Sequence, residues 1–219
     1  MNHHSHALRA KTFAKRQKGY TLIELSIALA IISVIIVGSL VGVQRILSNN
    51  RANNLLSEIP RINAALVGSA ANANSNTLST ITTSNAASLG AFSPNAVSWE
   101  GETATVTNAF GGNIFIQGLS NTINFDGVTR GYVVTATGVA RDMCATVVNG
   151  LAPLAQALWV DQNTTVPSGP LTSKPADADL IKGPGQDASI NLGTMSTQCR
   201  GSTNGSSTST MVVHAFIAI

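Results

Sequence analysis

Between Leu25 and Val43 the chain runs for 19 residues without a charge, LSIALAIISVIIVGSLVGV. At ~1.5 Å of rise per residue, such a run makes a helix ~28 Å long, about the thickness of a bilayer's hydrocarbon layer. A soluble core helix of that length would carry a polar face. The run therefore predicts a membrane-spanning helix.

Charge sits asymmetrically around it. Residues 1–19 hold Arg9, Lys11, Lys15, Arg16 and Lys18 and no acid. Everything after Gly19 carries eight basic and ten acidic residues, so the overall net charge of +3 belongs to the leader. With the basic flank ahead of the apolar run, the N-terminus is expected in the cytoplasm and the remainder outside. No basic stripe is left downstream, which removes the case for nucleic-acid binding. A secretory signal peptide would have a shorter apolar stretch ending in an A-x-A-like cleavage site. This run instead continues into a polar helix and reads as retained.

Glu24 stands at the N-terminal edge of the run, within KGYTLIELSIALAII. A carboxylate beside a hydrocarbon layer is costly and points to function. The stretch from Lys18 to Leu25, with Gly19, Tyr20, Thr21 and Glu24, resembles the cleavage site of type IV prepilins. In that family a basic leader ends in Gly, and a prepilin peptidase cuts after it and methylates the new N-terminus. The resemblance implies cleavage between Gly19 and Tyr20, N-methylation of Tyr20, and an assembly role for Glu24, which becomes the fifth mature residue. The long leader and large exported part resemble the type IVb subclass, such as toxin-coregulated and thin conjugative pilus pilins. The detailed resemblance covers residues 15–70; beyond that it rests on architecture, on Asn-Ala-Phe-Gly-Gly at 108–112 and on two cysteines.

The implied fold is α+β, a long N-terminal helix packed on an antiparallel sheet. Residues 1–19 form the cleaved leader, 20–71 the helix with 20–44 as transmembrane segment and filament core, and 72–219 the globular head. Leu55, Ile59, Ile62 and Leu66 recur at helical spacing and should pack on the head, leaving Arg51, Asn54, Glu58 and Arg61 nearer solvent. Gly38, Gly42 and Pro60 are expected to weaken or kink this helix. Small polar residues over 70–94 predict a loop, with room for a short helix.

Strands are predicted at 96–100, 103–107, 113–118, 122–125 and 131–138, with turns at Gly111–Gly112 and Asp126–Gly127. Residues 139–149 have helical spacing, with Val139, Met143, Val147 and Val148 on one side. A second short helix is expected over 151–160, a Pro/Gly-rich loop over 161–188, and a final inserted strand over 211–219. His214 in that strand reads as a structural residue.

Cys144 and Cys199 are the only cysteines, and export to an oxidising compartment predicts their disulfide. The chain-entropy model gives roughly 4 kcal/mol for closing such a loop. The resemblance implies that 144–199 bounds the exposed variable region of the head.

Enzymatic readings find little to stand on. Only 11% of residues are charged, against roughly 25% in typical chains. The sequence lacks G-x-x-x-x-G-K-[ST], H-E-x-x-H and G-x-S-x-G. His3, His4 and His6 fall in the leader, and the pair Asp177 and Asp179 offers too few ligands for more than a weak cation loop. The expectation is therefore no enzyme, no cofactor and no metal.

The function implied is that of a major pilin, a structural subunit polymerising into a surface filament for adhesion, aggregation or conjugative contact. Its partners would be copies of itself, the inner membrane before assembly, the prepilin peptidase, an assembly platform and minor pilins. The alternatives are a minor pilin or type II secretion pseudopilin, and a binding domain on a single-span membrane anchor.

Overall fold

The computed structural model describes residues 19–71, 80–119, 123–125, 130–161, 170–184, 189–200 and 210–219. The chain divides into two compact units, Met1–Gln44 and Arg45–Ile219. Helix α1 (Leu22–Ala70) contributes to both and is unbroken through Gly38, Gly42 and Pro60.

In the first unit every described side chain is exposed. In the second, Ala52, Leu55, Ile59, Ile62, Leu66 and Ala70 form one buried stripe along α1. Their three- and four-residue steps place them on one side of a helix of 3.6 residues per turn. All but Ala70 pack in a core with Tyr132, Val134, Ala136, Val213, Ala215 and Ile217 from the sheet.

That sheet has six strands in the order β1-β2-β3-β4-β6-β5. They are β1 (Val97–Glu100), β2 (Thr103–Thr107), β3 (Asn113–Gly118), β4 (Gly131–Ala140), β5 (Ala157–Asp161) and β6 (Thr210–Ala218). All neighbouring pairs are antiparallel. The predicted strands at 103–107 and 113–118 form over those residues, and the C-terminal segment inserts between β4 and β5.

β4 and β6 are buried along nearly their whole length, on both faces. One face meets α1. The other carries Val133, Trp159, Ala157 and Phe216, covered by Ile123 and Phe125. Burial on both faces explains why these strands read as continuous apolar runs rather than alternating ones.

Among the described residues the second unit also holds three short α-helices: α2 (Thr83–Ser88), α3 (Cys144–Leu151) and α4 (Leu192–Arg200). The Thr82 hydroxyl caps α2 by accepting from the Asn85 backbone N–H. Cys144 opens α3 and is joined to Cys199 in α4, with Cα atoms 5.6 Å apart. Lys182 donates to the carbonyls of Ala152 and Ala155, both at 2.8 Å, placing a cation at the C-terminal end of α3.

Three expectations are corrected. Residues 151–160 are not a second helix: α3 ends at Leu151 and β5 begins at Ala157. Pro153 has no N–H to carry the helical hydrogen-bond ladder onward, and the following ALWVD run pairs with β6 instead. Ile123 and Phe125, within the predicted strand 122–125, join no ladder. Their two-residue spacing instead turns both inward against Trp159 and Phe216. β4 also runs on to Ala140, so α3 starts later than the helical spacing over 139–149 suggests, yet Val139, Met143, Val147 and Val148 are all buried. The turn at Asp126–Gly127, the leader before Gly19 and the loop 72–79 lie outside the described residues.

Candidate processing and assembly segment

Gly19 and Tyr20 precede the first turn of α1 in non-helical backbone, and Tyr20 is 87% exposed. Thr21 and Glu24 then close on each other. The Glu24 N–H donates to Thr21 Oγ1 at 3.3 Å, while the Thr21 N–H donates to Glu24 Oε2 at 3.1 Å. The Thr21 hydroxyl adds a third bond to the same carboxylate oxygen at 3.0 Å. This is a capping box, in which two backbone donors at a helix start are satisfied reciprocally. The TLIE sequence thus starts the helix beside the proposed cut. All the Glu24 carboxylate bonds fall on Oε2.

Beyond it, the helix has an 18-residue window of mean hydropathy 2.6 of which none is buried. Large apolar side chains from Tyr20 to Val43 stand exposed on all sides. A surface this apolar needs lipid or other protein to cover it. Ser26, Ser33 and Ser39 do not interrupt it, because their hydroxyls bond back to the carbonyls of Ile23, Ala30 and Ile35.

In the second unit, the polar edge of α1 is tied down locally. Ser93 Oγ donates to Glu58 Oε1 at 2.7 Å and accepts from Arg61 Nη1 at 3.1 Å. Glu58 is thus half-buried instead of solvent-facing. The Tyr132 hydroxyl donates to Asn63 Oδ1 at 3.1 Å, and burial raises its pKa above the ordinary phenol value.

The Asn108–Gly112 stretch works as a clasp. Asn108 Oδ1 accepts from the N–H groups of Phe110 and Gly112, and its Nδ2 donates to the Thr137 carbonyl at 2.7 Å. Thr137 precedes Gly138, whose φ of +73° accompanies a register shift between β4 and β6. The clasp therefore holds the β2–β3 turn against an irregularity in β4.

His214 is 1% exposed, with Nδ1 sharing a hydrogen bond with Thr135 Oγ1 at 2.8 Å and its ring stacked on Trp159. Burial lowers its pKa to about 3, so it is neutral. It is a packed structural residue. Asp177 is held by Lys174 at 3.1 Å, and among the described residues no three His, Cys, Asp or Glu side chains gather as a metal site would require.

Helix α4 carried little sequence signal. Its interior is polar, and only the cap, Asn191 Oδ1 accepting from the Thr194 N–H at 3.1 Å, could have marked it. It nevertheless matters to the head. Gln198 accepts from the Val160 N–H and donates to the Asp179 carbonyl, closing the outer edge of β5 together with Lys182.

Residues 14–40 match the family described as the prokaryotic N-terminal methylation motif. The match brackets Gly19, Tyr20 and Glu24. No curated protein matches the chain. Among solved structures, TcpA, a type IV pilin from Vibrio cholerae El Tor biotype, superposes with a TM-score of 0.48 at 16% identity, over 77% of this chain and 99% of that one. The chain thus carries the prokaryotic N-terminal methylation motif at the start of a membrane-capable helix, followed by an antiparallel head with a disulfide.

Proposed function

We propose that this chain is the precursor of a structural subunit, a major pilin, of a type IVb-like pilus. A prepilin peptidase hydrolyses the Gly19–Tyr20 bond, releasing residues 1–19, and the new amine of Tyr20 is methylated. The apolar segment 20–44 holds the subunit in the inner membrane, with its N-terminus cytoplasmic. It then packs against the same segment of other copies in an extracellular helical filament. The head, residues 72–219, forms the outer surface, with 144–199 as its disulfide-bounded region. An assembly platform and minor pilins would support this, and the filament would serve adhesion, aggregation or conjugative contact.

The observation that carries the reading is the coincidence of the methylation motif with a wholly exposed apolar helix. Glu24 fits both stages. In the precursor one carboxylate oxygen caps α1 through Thr21. After cleavage the methylated amine of Tyr20 is a cation at the edge of an apolar region, where it is costly unless paired. Thr21 survives the cut, so the cap can persist while Glu24 Oε1 receives the amine of a neighbouring subunit.

Mass spectrometry of sheared surface material tests the reading, on wild type and on a Gly19 variant that blocks cleavage. Abundant filaments beginning with methylated Tyr20, lost in the variant, are expected. Methylated Tyr20 in traces only would assign a minor pilin or pseudopilin, and an uncut N-terminus in working cells would return the chain to a single-span anchor. Glu24→Gln is expected to be processed normally yet to yield few filaments; wild-type filament yield would remove its assembly role.

A further inference from the structure

The sheet splits between β2 and β3. The two strands pair only at Val106–Ile114 and Thr107–Asn113, and beyond these pairs Thr82 bridges to Gln117 in place of β2. The start of α2 occupies the fork. Thr83 Oγ1 accepts from the Ile116 N–H at 3.0 Å and Ser84 Oγ from the Ala104 N–H at 2.9 Å. The Ile81 carbonyl takes the Gly118 N–H at 3.1 Å.

What remains is a cleft of about 530 Å³ that includes Thr103, Thr105, Asn113, Phe115 and Gln117 in its walls. Its size suits a small-molecule site. Three features define its chemistry. Among the described residues, none that lines it is charged. Thr103 and Thr105 are exposed at the rim while Phe115 is half-buried. Asn113 and Gln117, both half-buried, add side-chain amides to its walls.

We propose that this cleft binds a neutral saccharide. An ionic ligand would lose its hydration with no countercharge to replace it. A sugar supplies hydroxyl donors and acceptors for the threonine hydroxyls and the side-chain amides of the walls, and an apolar C–H face for the Phe115 ring. An added peptide strand is disfavoured because α2 and the preceding turn already take three main-chain donors on the cleft walls, leaving side chains rather than an open ladder edge.

The test uses the purified full-length chain in detergent micelles. It is applied to an array of neutral oligosaccharides built from hexoses and N-acetylhexosamines, beside their sialylated and sulfated counterparts and short Ser/Thr-rich peptides. Binding confined to neutral glycans is expected. Phe115→Leu, which keeps apolar volume and removes the ring, should weaken it about tenfold. Thr105→Glu, at an exposed position on β2, should weaken it at least as much. Absence of any neutral glycan signal, preference for the charged glycans, capture of peptides alone, or equal binding by Thr105→Glu would each overturn the proposal.

Discussion

His214 shows how much a single buried side chain can couple this head to its surroundings. The ring is neutral because burial lowers its pKa to about 3, against the ordinary 6.5. Its folded value is depressed, so the unfolded chain binds a proton that the folded chain refuses. Stability from this group is complete above pH 6.5 and is lost as pH falls from there toward 3. The loss is up to ~1.4 kcal/mol per pH unit. Urea unfolding of the full chain in detergent at pH 7 and pH 5 should show the difference, and His214→Gln should shrink it; an unchanged pH response would mean that His214 does not titrate on unfolding. Gly112 poses a steric problem instead. A Cβ there would lie 2.0 Å from the Thr137 carbonyl oxygen, where only backbone movement relieves the clash. Gly112→Ala is therefore expected to cost more than ~2 kcal/mol, read as a lower unfolding midpoint.

At the scale of elements, the disulfide joins α3 to α4 across the loop that closes β5. Cys144→Ser with Cys199→Ser should lower stability by ~4 kcal/mol if the loop-closure model holds. Limited proteolysis should then cut first within 161–200. A wild-type digestion pattern would show that Gln198 and Lys182 hold the region unaided. The elements also show what the sequence discloses. α1 was legible from its uncharged run and from the 55-59-62-66 spacing, because periodicity is written into a surface helix. β2, β3 and the last strand were legible from short runs bounded by turn residues. β5 was not, since ALWVD is buried on both faces and has no alternation to betray it. α4 escaped because it packs through a disulfide and one amide rather than an apolar stripe. The candidate residues Gly19, Tyr20 and Glu24 could be singled out because the methylation motif that brackets them is contiguous. The cleft between β2 and β3 could not be, because it comes from three segments whose proximity only the fold creates.

Over the whole molecule, apolar surface is divided unevenly between the two units. Among the described residues, fifteen of the twenty-one exposed large hydrophobic side chains lie between Tyr20 and Val43. The Arg45–Ile219 unit keeps only Ile46, Leu47, Val67, Leu89, Trp99 and Leu192 exposed. It also contains the buried stripe of α1, all six strands and the disulfide. Scattered apolar residues are ordinary on soluble surfaces, whereas a contiguous apolar helix is not. A fragment beginning at Arg45 is accordingly expected to dissolve without detergent, to sediment as a monomer and to unfold in one cooperative transition. The full chain should need detergent or lipid, and the difference should trace to residues 20–44 alone. The same division predicts that the fragment cannot join filaments, however well its head is folded. A fragment that aggregates, or that melts without a cooperative transition, would show that the head depends on the apolar segment for its own stability, and the two could then no longer be treated as separable units.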